Sequence, residues 1–414
     1  MTQVATRPGD PAERQPAGTG TRVARFAVPL LVAYLAGHLL YVIAAARTGT
    51  RYFTAEAHQR WDSGLYLQIA NSGYHMFVCN QDPQLAFYGT AWCGNAGWFP
   101  LYPWLIRALH AATGWSAGTC AVLVTEAATL TAVLLFWWLL VRVAGEAGSR
   151  LRNTALVALV VVFPVGVYLH AVFPMSLTVA ATLACLGLAV RGRPVAAGLA
   201  GAVAAAAYPL GIAAGLAAVV VMVTAGRQRR QPNGTTVLGA TVLGALSLAG
   251  LGLVFVTQQL TTGHWNGFFL SQDKYGGQRH NPVSAFVAMV TQPQGPPVGP
   301  ATSPALNHRL DLSVRAEMWI SLGLVLAGCA VVAAEALRRR YHALDAGLLV
   351  FAVITFVVPL FAGTQISQYR SHTLLLPALL LLRRLPAAVL WLLALPAAVL
   401  AYRMGTLFFL KLLF

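Results

Sequence analysis

The sequence predicts an all-α polytopic membrane protein of about eleven transmembrane or re-entrant helices with two large extracytoplasmic loops, and three observations carry that prediction. The 414-residue chain is 57% hydrophobic, above the about 45–50% of an ordinary soluble chain. Only 10% of it is charged, against about 25% ordinarily. Several apolar runs reach the roughly 20 residues needed to span a bilayer. The formal charge of +16 invites a nucleic-acid reading, but the basic residues, nearly all Arg, sit in small clusters between apolar runs. That is the pattern by which Arg and Lys in short loops are retained on the cytoplasmic side. The expected surroundings are membrane lipids, with no nucleic-acid partner.

The elements follow in order. Residues 1–21 are rich in Pro, Gly, Thr and charge without periodicity, which predicts a disordered cytoplasmic tail ahead of a single integral-membrane domain at 22–414. The first long apolar run extends from Phe26 to Ala46, and Arg22 and Arg25 before it favour a cytoplasmic N-terminus in a multi-pass protein of the cell membrane. Residues 47–116 then face outward as a structured loop rich in Trp, Tyr, His, Gly and Cys. Further spans are predicted at about 117–142, 154–170, 174–190, 195–208, 210–225, 235–257, 316–336, 344–362, 366–382 and 386–402. The runs 195–208 and 210–225 are each too short to cross comfortably. With Tyr208-Pro209 between them they read as a hairpin of short or re-entrant helices whose turn is buried in protein. A second outward segment, about 258–315, combines interfacial helix with a Pro- and Gly-rich loop. Glu56, Asp62, Asp82, Asp273 and Asp311 all fall in the two outward loops.

The chain has no GxxxxGK, HExxH, GxSxG or DxD string, so nucleotide-driven chemistry is not indicated. The five cysteines form no CxxC pair, so neither a metal nor a redox module is expected, and no cofactor is called for. An outward-facing group transfer needs an activated donor delivered through the lipid, and a polyprenyl phosphate sugar meets that need. Cys79 and Cys93 are the two cysteines of the first outward loop, and outward exposure permits a disulfide between them.

The segment Arg60-Trp61-Asp62-Ser63-Gly64-Leu65-Tyr66 follows the first span directly. Read as a helix from Ser63 ending at Gly73, it puts Asp62 and Tyr66 four residues apart on one side. The bland role for Asp62 is the N-cap of that helix; the chemical role is a general base, and the two can coexist.

The string Trp61-Asp62-Ser63-x-x-Tyr66-x-x-Ile69-Ala70-x-x-Gly73-Tyr74, followed by Trp98-Phe99-Pro100-Leu101-Tyr102-Pro103 and Leu105-Ile106-Arg107, resembles the PIG-V-like mannosyltransferases. These are membrane enzymes of the glycosyltransferase-C superfold. The resemblance implies that fold, a polyprenyl phosphate mannose donor, and a catalytic Asp in the first outward loop at the position of Asp62. Two departures stand out. Where the family typically shows Tyr-Ser/Thr-Glu-Ser this chain has Phe173-Pro174-Met175-Ser176, and where the family often shows Thr-Arg-Pro-x-Gly it has Ala207-Tyr208-Pro209-Leu210-Gly211. A divergent acceptor, an altered donor site and lost activity are all consistent with those losses.

A glycosyl phosphate carries its own leaving group, so one base suffices, unlike glycoside hydrolysis with its paired carboxylates. Asp62 is expected to deprotonate an acceptor hydroxyl while cations stabilise the departing phosphate, with inversion at the anomeric carbon. Arg370, in Gln368-Tyr369-Arg370-Ser371-His372, is the first choice for the phosphate, because a guanidinium can hold two of its oxygens; Lys274 and Arg279 follow. Trp61, Tyr66, His58 and His75 flank Asp62 in sequence and are candidates to contact the sugar or its acceptor, a glycan, lipid or protein hydroxyl. Glu126 lies in an apolar span, where a carboxylate is costly and often functional, although it sits close enough to the outer end to reach the interface. Trp92, Trp98, Tyr102 and Trp104 suit an interfacial belt or a sugar platform. The alternative class is a transporter or lipid flippase, but transporters concentrate ionisable groups near the bilayer midplane, and here they concentrate in outward loops.

Overall fold

The computed structural model describes residues 19–144, 150–275, 281–292, 303–338, 340, 342–362 and 368–413. Helix α1 (Thr19–Ala46) leads into a loop that carries a short 3-10 turn (Ala55–His58), α2 (Ser63–Ser72), a hairpin of β1 (Met76–Val78) and β2 (Trp92–Gly94), and α3 (Leu101–Thr113). Then come α4 (Ala117–Ala144), α5 (Arg150–Val161), α6 (Met175–Val190), α7 (Pro194–Ala207), α8 (Ile212–Gln228) and α9 (Asn233–Thr262). The remainder comprises α10 (Gly267–Asp273), α11 (Pro282–Thr291), α12 (Pro304–Leu337), α13 (Ala343–Leu360), α14 (Gln368–His372) and α15 (Ala387–Phe409). Most of the predicted tail, 1–18, lies outside the described residues, and α1 takes up its last three positions.

Among the described residues, six helices are long and apolar enough to cross a membrane: α4, α8 with the turn before it, α9, α12, α13 and α15. The chain is thus a multi-pass membrane protein, with α6, α7 and the apolar part of α1 as shorter apolar helices beside these. The expected spans at 154–170 and 366–382 take a different form. Helix α5 stops at Val161, because the pyrrolidine ring of Pro164 disfavours helix at the residue before it, and the chain continues as a buried irregular segment with a 3-10 turn at Gly166–Leu169. At 366–382 the five-residue α14 gives way to a 3-10 helix, Thr373–Arg384, with Pro377 inside it. Every side chain from Thr373 to Arg383 in that segment is buried. An apolar run wrapped on all sides by protein and one wrapped by lipid look alike in sequence, which is why this stretch read as a span.

The second loop is shorter than the expected 258–315. Helix α9 runs on to Thr262 before Gly263 closes it in the left-handed conformation, and α12 starts at Pro304 with the Ser303 hydroxyl accepting from the Leu306 amide. Asp311 therefore sits on α12, paired with Arg315 one turn away at 2.8 Å.

The α7–α8 break forms where expected and α7 is short, but α8 with the turn before it is long enough to cross a membrane, against the expectation that both runs are too short. Tyr208 adopts extended backbone between the two helices, and the turn is tight enough that a Cβ on Gly211 would lie 1.8 Å from the Ala204 carbonyl oxygen. Helix α7 packs against α9 at equally short range: a Cβ on Gly250 would meet the Ala202 carbonyl oxygen at 2.2 Å. Small residues let membrane helices approach this closely.

In the first loop, β1 and β2 pair antiparallel with Phe77 opposite Cys93. A Cys79–Cys93 disulfide closes the hairpin, and a loop of this size is stabilised by about 3 kcal/mol in the chain-entropy model. At the opposite end of the bundle, Asp345 of α13 is buried and ion-paired to Arg383 and Arg384. That pairing pins the far end of the 3-10 segment whose near end carries α14.

Candidate active site

The aromatic residues of the two motif strings hold α2 in place. Tyr66 is buried and meets Tyr102 edge-on at 5.4 Å, while the Tyr102 hydroxyl bonds Thr125 of α4 at 2.7 Å. Tyr74 donates to the Trp98 carbonyl at 2.7 Å. Arg107 of α3 donates to the Ala70 and Ile69 carbonyls at 2.7 and 2.8 Å, so a cation caps the C-terminal, electronegative end of α2. Trp98 and Tyr102 are buried, which makes them packing residues and not the interfacial belt or sugar platform that composition suggested. Arg60 performs a similar task, donating from Nε to the Phe408 carbonyl at 2.7 Å with its guanidinium over the Phe408 ring.

Asp62 stands at the start of the helix so fixed. Its side chain makes no capping hydrogen bond. Instead Oδ2 accepts from a terminal nitrogen of Arg370 at 2.6 Å, with Asp62 on the first loop and Arg370 on α14. The Arg370 guanidinium lies over the ring of Phe173, 5.1 Å from its centroid, a cation–π placement that also limits where the group can go. Its Nε is buried and has no hydrogen-bond partner among the described residues. Beside Arg370 on α14, Ser371 meets the hydroxyl of Tyr208, the hairpin-tip residue, at 3.2 Å.

Lys274 follows α10 directly, and its ammonium lies 5.0 Å from the Tyr275 ring centroid. Burial pulls its proton affinity below the ordinary value, and the negative charge of Asp62 partly offsets this. Tyr275 is pushed up to about 12, by burial first and by Asp62 second. Tyr66 is likewise raised well above its ordinary value by burial, with Tyr208 and Asp62 adding to it. Among the described residues, therefore, the Asp62 carboxylate of the first loop meets Arg370 of α14, and Lys274 after α10 feels the charge of Asp62.

The other sequence candidates divide. Trp61 is half-exposed next to Asp62, with a positive φ of 40°. His75 lies on the hairpin, its Nδ1 3.0 Å from the Asn95 amide. His58 is buried with Nδ1 and Nε2 at 2.7 and 2.9 Å from the His170 and Tyr52 carbonyl oxygens. It ties two backbone segments together, and neither nitrogen is left for a sugar, contrary to expectation. Arg279 lies outside the described residues. Phe173 and Tyr208 were singled out in the sequence only as departures from a family pattern; both lie at the site, under and beside the Arg370 segment.

No protein-family model matches the chain, and no curated protein matches it. Its fold is similar to that of the apo crystal structure of the Archaeoglobus fulgidus oligosaccharyltransferase, with a TM-score of 0.54 and 14% sequence identity over 94% of this chain. A second structure of that enzyme, in complex with Zn and sulfate, aligns with a TM-score of 0.49 and 14% identity over 91% of this chain. The alignments cover 57% and 53% of the archaeal chain, so this protein spans little more than half its length. The likeness is one of fold.

Proposed function

We propose that the protein is a glycosyltransferase of PIG-V-like type. It moves a sugar, in our reading mannose, from a polyprenyl phosphate to an acceptor hydroxyl on the extracytoplasmic side. The observation that carries this is the meeting of Asp62 with Arg370, whose buried Nε–H has no hydrogen-bond partner among the described residues. A buried donor without an acceptor is costly, and a phosphate oxygen is the acceptor that a guanidinium favours.

In the proposed reaction Arg370 and Lys274 receive the donor phosphate. Arg370 holds Oδ2 of Asp62 and leaves Oδ1 for the acceptor. The acceptor O–H gives its proton to the Asp62 carboxylate as its oxygen attacks the anomeric carbon from the face opposite the phosphate. The bond between that carbon and the phosphate oxygen breaks, its electron pair stays on the phosphate, and the charge is met by the two cations. The anomeric configuration inverts. Trp61, partly exposed beside Asp62, is placed in our reading against the sugar ring.

The test is incubation of purified full-length protein with radiolabelled polyprenyl phosphate mannose and a panel of lipid, glycan and peptide acceptors. Transfer of label with release of polyprenyl phosphate is expected. Transfer from a glucose-linked donor alone would replace mannose in the reading, and no transfer from any lipid-linked sugar would refute the proposal.

A further inference from the structure

A second polar cluster lies away from the Asp62–Arg370 pair, inside the helical bundle. His38 of α1 and Glu126 of α4 meet there with His170, in the turn between α5 and α6. His38 is eight residues from the end of α1 and Glu126 nine from the start of α4, so both lie about 12–13 Å along their helices from the large first loop. Nothing in the proposed transfer uses them. We propose that His38, Glu126 and His170 form a binding site for one divalent transition-metal ion of the zinc type.

The geometry of the donor atoms is the first argument. Oε2 of Glu126 lies 3.2 Å from His38 Nε2 and 3.2 Å from His170 Nδ1. Around a tetrahedral zinc with ligand bonds of about 2.0–2.2 Å, neighbouring ligand atoms stand roughly 3.3–3.5 Å apart. Two of the three edges thus fall just short of that length, so a small side-chain adjustment admits the ion, and all three donor atoms lie within 4.8 Å of one another. The donor chemistry is the second argument. Two imidazoles and one carboxylate suit zinc, whereas magnesium and calcium take oxygen sets.

The surroundings supply the third argument. His38 turns its other nitrogen, Nδ1, to the Tyr52 hydroxyl at 2.7 Å, and a metal-bound histidine is characteristically oriented through its second nitrogen. Tyr34 donates to Oε2 of Glu126 at 2.6 Å, and its phenol oxygen is near enough to serve as the fourth ligand or to hold a water in that position. A small cavity lined by Tyr34, Gly37, Thr129 and His170 adjoins the cluster. An ion there would join α1 and α4 to the turn that leads to Phe173, three residues beyond His170, and so brace the ring beneath Arg370.

The proposal is independent of the transfer reaction and is tested by binding. Full-length protein purified in detergent without a polyhistidine tag is stripped with a chelator, equilibrated with zinc chloride and desalted. Metal is then counted by mass spectrometry and melting followed by fluorescence. The wild type is expected to retain about one zinc per chain and to melt at a higher temperature with it. Glu126→Gln, which preserves shape and the Tyr34 contact, and His170→Gln are each expected to weaken binding by more than about 100-fold, and Tyr52→Phe by about 10–100-fold. A wild type that retains no zinc, or zinc retained equally by Glu126→Gln, would overturn the site and leave the cluster as a hydrogen-bonded carboxylate.

Discussion

Arg370 was read from sequence as a phosphate ligand and Asp62 as a base, but their contact joins residues 308 positions apart and no local pattern could have announced it. Each was legible alone: Asp62 because a carboxylate directly after a span is conspicuous, Arg370 because a guanidinium stands at an outer span end. If the guanidinium holds the donor phosphate, Arg370→Ala should cut turnover by about 10² or more, with some loss of melting temperature from the lost ion pair and ring contact, and Arg370→Lys should recover only part of the turnover. Unchanged donor KM and rate in Arg370→Ala would remove the residue from the site. Lys274 gives a pH test. Its proton affinity is depressed by burial, so its charge is present at low pH and lost as pH rises, earlier than for an ordinary lysine. Donor KM should therefore climb on the alkaline side, and Lys274→Arg should move that climb to higher pH; an identical profile would exclude Lys274 from donor binding.

The elements that were legible are those with one environment along their length, such as α4 and α9, whose apolar runs are long and lack proline. The elements that were not are the broken ones. Pro164 ends α5 early, and the Thr373–Arg384 segment is buried on every side, so hydropathy alone could not separate it from a lipid-facing span. The α7–α8 hairpin lay between these cases, since Tyr208-Pro209 marked the break but only the packed structure brings its tip to Ser371. That tip depends on Gly211. A methyl group there would collide with the Ala204 carbonyl, and Gly211→Ala is expected to destabilise the protein by at least about 1–3 kcal/mol. Thermal melting in detergent would detect this, and a variant with wild-type melting and turnover would mean that the hairpin turn is looser than described.

At the scale of the whole molecule, both large loops and α14 share one end of the bundle, and the account requires that end to face out of the cell. Phe87, in the first loop, is 75% exposed. Phe87→Cys in intact cells should react with an impermeant maleimide, the paired Cys79 and Cys93 being unreactive; labelling only after lysis would reverse the orientation and remove the need for a lipid-linked donor. The site itself was half legible for a physical reason: local sequence carries the helix that presents Asp62, while the cation that meets it, Arg370, arrives through tertiary packing. The same limit hid the histidines around Glu126, which come from separate elements. The central claim is that Asp62 accepts the acceptor's proton, and one comparison tests it most directly. Wild type and Asp62→Asn are assayed together for sugar transfer from a polyprenyl phosphate donor, with melting measured on both. Asn retains the shape of the side chain and the native Asp side chain makes no capping bond, so the variant should still fold, melting somewhat lower because the ion pair to Arg370 is weakened, while turnover falls by about 10² or more. An Asp62→Asn protein that keeps more than about a third of wild-type turnover would contradict the mechanism.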